Sequence, residues 1–186
     1  MASLEVTTLP NILSLSRFFL APIFILLVLS SNLYSAAAVF IIAGLTDVAD
    51  GYLARRLALT SELGAAIDPL ADKFLYSSAF FILAFSGLVP AWLAAVVILR
   101  DTIILTTITV LKKRGRSVNT MPSIVGKIST SIQFSTAIFV LLGSSTTTIY
   151  ILYSLTILFT VLSGLDYALR EYLARRTLLF KTGDCV

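Results

Sequence analysis

Residues 47–73 read DVADGYLARRLALTSELGAAIDPLADK and separate two long apolar runs. Five acids, three bases and two glycines lie in this stretch. Four of the acids are Asp47, Asp50, Asp68 and Asp72, in the pattern D-x2-D-G-x2-A-R-x8-G-x3-D-x3-D. On a helix, Asp47, Asp50, Gly51 and Ala54 fall at i, i+3, i+4 and i+7, which is one face. Gly64, Asp68 and Asp72 recur every four residues and make a second face. Carboxylates brought close together repel unless a cation lies between them. An all-oxygen ligand set favours Mg2+, Mn2+ or Ca2+ over zinc or copper. The small residues complement the acids. Gly51 and Ala54 leave the helix surface shallow, so a phosphate chain can approach the backbone. Arg55 follows with a planar fork of donors suited to phosphate oxygens. Metal, shallow surface and arginine together point to a bound diphosphate. The plainer reading, a pair of solvated acids beside a membrane, leaves the glycine and alanine spacing unexplained.

These residues resemble the signature of the CDP-alcohol phosphatidyltransferase family. Asp47, Asp50, Gly51, Ala54, Arg55, Gly64, Asp68 and Asp72 match it in type and spacing, eight positions over 26 residues. Residues 9–17 (LPNILSLSR), 68–73 (DPLADK) and 123–133 (SIVGKISTSIQ) are similar to segments of its glycerophosphate and cardiolipin branches. The resemblance therefore reaches to about residue 135. It implies transfer of a substituted phosphoryl group from a CDP-alcohol to a second alcohol, with release of CMP. It also implies that Asp47, Asp50, Asp68 and Asp72 hold Mg2+ or Mn2+, as a pair of ions. Asp72 would further act as general base on the acceptor hydroxyl. Gly51, Ala54, Arg55 and Gly64 would cradle the cytidine diphosphate. A homodimer is expected on the same ground.

The implied donor is CDP-diacylglycerol. Lys73, Arg100, Arg116 and Lys127 form a candidate anion pocket, which favours glycerol 3-phosphate as acceptor and phosphatidylglycerol phosphate as product. The alternative acceptor is phosphatidylglycerol, giving cardiolipin. Many glycerophosphate enzymes show Arg-Glu where this chain has Arg100-Asp101, and the cardiolipin branch often shows Arg-Asp.

Composition sets the class independently. The 186 residues are 58% hydrophobic, which fits an integral membrane protein better than a soluble domain. There is no histidine, so a histidine base or histidine-bound zinc is excluded. The single Cys185 rules out an intrachain disulfide. Residues 1–10 carry no Lys or Arg, so the cationic start of a cleaved signal peptide is missing. Nothing suggests a nucleic-acid partner, an internal repeat or a second domain, and residues 1–186 are expected to form one membrane domain.

Six spans can be traced. The first covers about 12–30, with Arg17 near its start and Pro22 expected to kink it. The second covers about 34–57. The third begins at Ser61 or at Asp68-Pro69 and ends between Gly87 and Pro90. The fourth covers about 91–111 and contains Arg100 and Asp101. Charges inside a membrane helix are costly and face a bundle interior or a water-filled cavity. Neighbours in sequence point about 100° apart around a helix, so Asp101 is not an automatic partner for Arg100. An ion pair within the bundle and a role in the acceptor pocket both remain open for Arg100. The fifth span starts near Ser123 and is rich in Ser and Thr, which suits close helix packing. The sixth covers about 149–168.

The turns at 31–35, 86–91 and 143–148 hold no charged residue, and the Lys and Arg residues lie toward the other helix ends. By the positive-inside rule both termini and segments 55–68 and 111–124 are cytoplasmic. The expected fold is thus an all-α bundle of six transmembrane helices in the cell (inner) membrane, with an active site open to the cytoplasm. Two other classes fit less well. Prenyl-diphosphate transferases also carry aspartate-rich motifs on membrane helices, but in two motifs set far apart in a larger bundle. A cation transporter would place carboxylates near the midplane, usually in repeated halves.

Overall fold

The computed structural model describes residues 9–57, 75–113 and 123–183, with side chains for 19–46, 75–109 and 123–170. The described residues form helices and turns, with no strand. The helices are α1 (Leu9–Leu29), α2 (Leu33–Leu57), α3 (described from Leu75 to Phe85), α4 (Ala91–Lys113), α5 (Ile124–Leu141) and α6 (Thr146–Gly183). The fold is all-α, as the apolar runs predict. Ala91–Thr109, Ile124–Leu141 and Thr146–Arg170 are long and apolar enough to cross a membrane. The described apolar parts of the other helices, Phe19–Leu29, Leu33–Thr46 and Leu75–Phe85, are shorter.

Three tight turns join α1 to α2, α3 to α4 and α5 to α6, and all are built alike. Each ends its helix on a residue with positive φ: Ser31 at 59°, Gly87 at 72° and Gly143 at 66°. In each, that residue's N–H reaches a carbonyl three residues back, and the next N–H reaches one five residues back. The pairs are Ser31 to Val28 with Asn32 to Leu27, Gly87 to Ala84 with Leu88 to Leu83, and Gly143 to Val140 with Ser144 to Phe139. These bonds occupy carbonyls that a helix end would leave bare. Turns this short make each helix pair antiparallel. The Tyr153 hydroxyl donates to the Leu88 carbonyl at 3.0 Å and ties α6 to the α3–α4 turn.

α1 runs from Leu9 to Leu29 with Pro22 inside it. The apolar part of the sixth helix, Thr146–Arg170, agrees with the expected span of about 149–168, and the helix itself continues to Gly183, 38 residues in all. Hydropathy ends the membrane-spanning part near Arg170, but residues 169–182 contain neither proline nor glycine. Nothing in that stretch interrupts helical hydrogen bonding beyond the apolar part. At 1.5 Å per residue such a helix is roughly 57 Å long, well beyond a hydrocarbon core of about 30 Å.

Packing follows the membrane pattern. Phe24, Phe40, Phe80, Leu83, Leu93 and Leu141 are fully buried, while Phe19, Phe85, Leu99, Tyr150, Leu165 and Leu169 face outward. On α4, the hydroxyls of Thr102, Thr106, Thr107 and Thr109 donate to the carbonyl four residues earlier at 2.7–2.8 Å. Polar groups facing lipid are thereby satisfied within their own helix. The Ser and Thr of α5 pack as expected: Ser129, Gln133 and Thr136 are buried against Thr156, Thr160 and Ser163 of α6. Gln133 Nε2 donates to Thr160 Oγ1 at 3.0 Å, and the Thr136 and Thr156 hydroxyls lie 2.8 Å apart.

Candidate active site

α2 is helical without a break from Leu33 to Leu57. Asp47, Asp50, Gly51 and Ala54 therefore occupy one side of it, and Arg55 lies in its last turn. Gly64, Asp68, Asp72, Lys73 and Arg116 lie outside the described residues.

The position of this face is set one turn earlier. Gly44 lies against the ring of Phe134 on α5, and a Cβ there would stand 2.5 Å from Phe134 Cζ. The Phe134 ring cannot swing aside freely. Phe40 stacks on it at 5.0 Å and Tyr76 of α3 meets it edge-on at 6.3 Å. Phe24 of α1 completes the cluster at 5.2 Å from Phe40. Aromatic pairs at these separations add to the stability given by area burial. Four helices are thus joined beside the aspartate turn of α2.

Arg100 is paired with its neighbour, which is the ion pair that the sequence left open. Its Nη1 lies 2.6 Å from Asp101 Oδ1, with both side chains almost buried at 10% and 4% exposure. The two Cβ atoms diverge around α4, but the arginine arm is long enough to turn its head back across that angle. Nη2 donates to Ser163 Oγ on α6. Nε is buried and has no hydrogen-bond partner among the described residues. A buried charged donor is costly to leave unsatisfied, and among the described residues nothing satisfies this one.

Two further elements reach the same place. A Cβ at Gly126, in the first turn of α5, would stand 3.6 Å from Arg100 Nη2 and 3.5 Å from Ser163 Oγ. Ser123 caps α5 by accepting from the Gly126 N–H at 3.0 Å. Lys127 follows and is exposed. Of the four candidate acceptor residues, the described side chains are those of Arg100 and Lys127, and both lie beside the opening of α5. Sequence reasoning missed Ser163 and Gly126. The available signal was small residues among apolar ones, which carries no address for a partner 63 positions away. A cleft of about 550 Å3 also opens between α4 and α6, with Arg100, Thr160 and Tyr167 among apolar walls of Leu99, Ile103 and Val161.

A helical membrane bundle with an aspartate-bearing face on α2 defines a class of membrane-embedded enzyme, and comparison with known proteins gives the family. Residues 7–162 match the family described as CDP-alcohol phosphatidyltransferase, and the chain belongs to it. It is 33% identical to the Bacillus subtilis CDP-diacylglycerol–glycerol-3-phosphate 3-phosphatidyltransferase, over 91% of this chain and 97% of that protein. It is 34% identical to a probable phosphatidylglycerophosphate synthase of Mycobacterium tuberculosis, over 89% of this chain and 82% of that protein. It is also 34% identical to the cardiolipin synthase (CMP-forming) of Rattus norvegicus, over 68% of this chain and 47% of that protein. The chain thus spans about half the length of the rat relative.

Proposed function

We propose that this protein transfers the phosphatidyl group of CDP-diacylglycerol to glycerol 3-phosphate, giving phosphatidylglycerol phosphate and CMP. The observation that carries the proposal is the unbroken α2 helix, which brings Asp47, Asp50, Gly51 and Ala54 to one face in the family's spacing. The similarity to the Bacillus subtilis enzyme over nearly the full length of both chains supports the choice of acceptor.

The donor set fits a hard divalent cation: four carboxylates, with no histidine anywhere in the chain. Asp47, Asp50, Asp68 and Asp72 would hold Mg2+ or Mn2+, and the ions when bound would neutralise the diphosphate and stabilise charge on departing CMP. The remaining work falls to the chain. Gly51, Ala54 and Gly64 leave room for the cytidine diphosphate, and Arg55 donates to its phosphate oxygens. Asp72 accepts the proton of the acceptor hydroxyl. The hydroxyl oxygen bonds to the lipid-bearing phosphorus as the bond to the CMP oxygen breaks. A carboxylate is an ordinary base only when its pKa is raised, which crowding among like charges favours.

The acceptor phosphate is held by Arg100 and Lys127, with Lys73 and Arg116. Their support is the Arg100 Nε–H, which has no partner among the described residues, and the amino end of α5 beside it, which also favours an anion. In an up-and-down order all three short turns share one end of the bundle, and α2 runs antiparallel to α5. Counting from Gly44 against Phe134, Asp50 then lies about 9 Å and Gly126 about 12 Å toward the opposite end. Arg100's head and the aspartate face are thus at nearly one level. That end faces the cytoplasm by the charge distribution, and the protein works as a multi-pass inner-membrane homodimer.

A second acceptor is favoured by one observation. Arg100 is engaged by an aspartate, and cardiolipin synthases are among the relatives. Phosphatidylglycerol is therefore the alternative. The deciding experiment supplies purified protein with CDP-diacylglycerol labelled in its cytidine and Mg2+. CMP release is compared for glycerol 3-phosphate, phosphatidylglycerol, inositol phosphate and serine. Release with glycerol 3-phosphate alone supports the proposal. Release with phosphatidylglycerol alone replaces it by the alternative, and no release with any acceptor overturns it.

A further inference from the structure

The buried polar row between α5 and α6 pairs side chain with side chain until its last member. Thr156 meets Thr136, and Thr160 meets Gln133 and, at 3.5 Å, Ser129. One turn on, Ser163 lies where α5 begins, near the hydroxyl of its cap residue Ser123. The facing residue is Gly126, where a Cβ would lie 3.5 Å from Ser163 Oγ. The space beside Gly126 is shared by the Ser123 hydroxyl at 3.3 Å and by the guanidinium of Arg100 at 3.6 Å, which crosses from α4 and donates to Ser163. α5 thus withholds a side chain at the one place in the row where a third helix inserts a cation.

We propose that Ser163 and Gly126 form a seat that positions Arg100 to hold the acceptor's phosphate. This rests on the assignment of Arg100 to the acceptor pocket. Asp101 and Ser163 grip the two Nη atoms from opposite helices, which fixes the plane of the guanidinium. Its Nε edge keeps its donor free of any partner among the described residues. A planar, pre-oriented fork loses less freedom when it binds an anion than a free arginine does. Ser163 touches no substrate and acts through Arg100, so it is a positioning residue. The ordinary explanation, that Ser163 is a small residue easing helix contact, accounts for burial. It does not account for a charged partner drawn from a third helix into a gap left by glycine.

The test uses the purified full-length protein with CDP-diacylglycerol and Mg2+, and measures KM for each substrate and kcat separately. Ser163→Ala should raise the KM for the acceptor about 3- to 15-fold, the range of interhelical hydrogen bonds in membranes. It should leave the KM for CDP-diacylglycerol unchanged. Ser163→Thr should restore the acceptor KM, and Gly126→Val, which fills the seat, should raise it again. Ser154→Ala, whose hydroxyl faces outward and bonds its own helix, is the control. Running glycerol 3-phosphate and phosphatidylglycerol in parallel identifies whose phosphate is held. Arg100→Gln separates the two levels of the argument. If it leaves acceptor KM unchanged, the pocket assignment fails. If it raises acceptor KM and Ser163→Ala does not, the seat alone fails. A Ser163→Ala enzyme in which both KM values rise together, or in which only the unfolding midpoint moves, also overturns the proposal.

Discussion

Gly44→Ala is a one-carbon change whose effect can be worked from the geometry. The added Cβ would stand 2.5 Å from Phe134 Cζ and 2.6 Å from Cε2, against ordinary contacts of 3.4–4 Å. About 1 Å of separation must therefore be found, and overpacking of this kind costs roughly 1–3 kcal/mol. The ring cannot supply it alone, because Phe40 stacks on it and Tyr76 closes its edge. α2 must then move away from α5, carrying Asp47 with it, three residues further along the same helix. A misplacement of about 1 Å in a catalytic constellation can cost on the order of 100-fold in rate. The expected result is a large fall in kcat with a lowered unfolding midpoint. Phe134→Leu in the Gly44→Ala background should recover part of the loss. A double-mutant cycle on both quantities makes the check, since residues in contact couple by 0.5–3 kcal/mol as a rough range. Wild-type turnover and stability in Gly44→Ala would refute the argument, as would strict additivity of the two changes.

Other outcomes are equally open to measurement. Arg100→Gln should raise the KM for glycerol 3-phosphate, since a lost bond to a charged group costs roughly 1.5–3 kcal/mol, or about 10- to 150-fold. Unchanged acceptor kinetics would assign Arg100 to structure alone. Excess chelator should abolish turnover and Mg2+ or Mn2+ should restore it, with zinc doing so poorly; full activity in chelator counts against the carboxylate site. Asp72→Asn should stop turnover while CDP-diacylglycerol still binds, whereas Asp47→Asn and Asp50→Asn should weaken the metal requirement's apparent affinity. An active Asp72→Asn enzyme would remove Asp72 as the base. Finally, Gly87→Ala and Gly143→Ala should each lower stability by about 1 kcal/mol through positive φ rather than crowding, since nothing lies within 4 Å of either Cβ. Ser31→Gly should relieve the same strain, and a thermal scan in detergent that moves all three the same way would exclude it.

Much of this protein could be read without coordinates because it depends on local spacing. The aspartate pattern needs only helical periodicity to come to one face, and α2 supplies it. The uncharged turns were legible because glycine and short polar residues end helices by local hydrogen bonds. The sixth span was legible from hydropathy, which marks where the membrane stops but not how far the helix continues beyond it. What the tertiary structure decided is which faces meet. Nothing near Gly44 in sequence indicates that it needs to be a glycine; the reason is a ring on α5. Nothing near Arg100 indicates Ser163 or Gly126. Its pairing with Asp101 was one of the alternatives that Cβ directions left open, because a flexible four-atom arm is not bound by the angle at which it leaves the helix. In an apolar chain such partners are invisible to pattern, since lipid-facing and helix-facing positions are both apolar or small. Only packing distinguishes them.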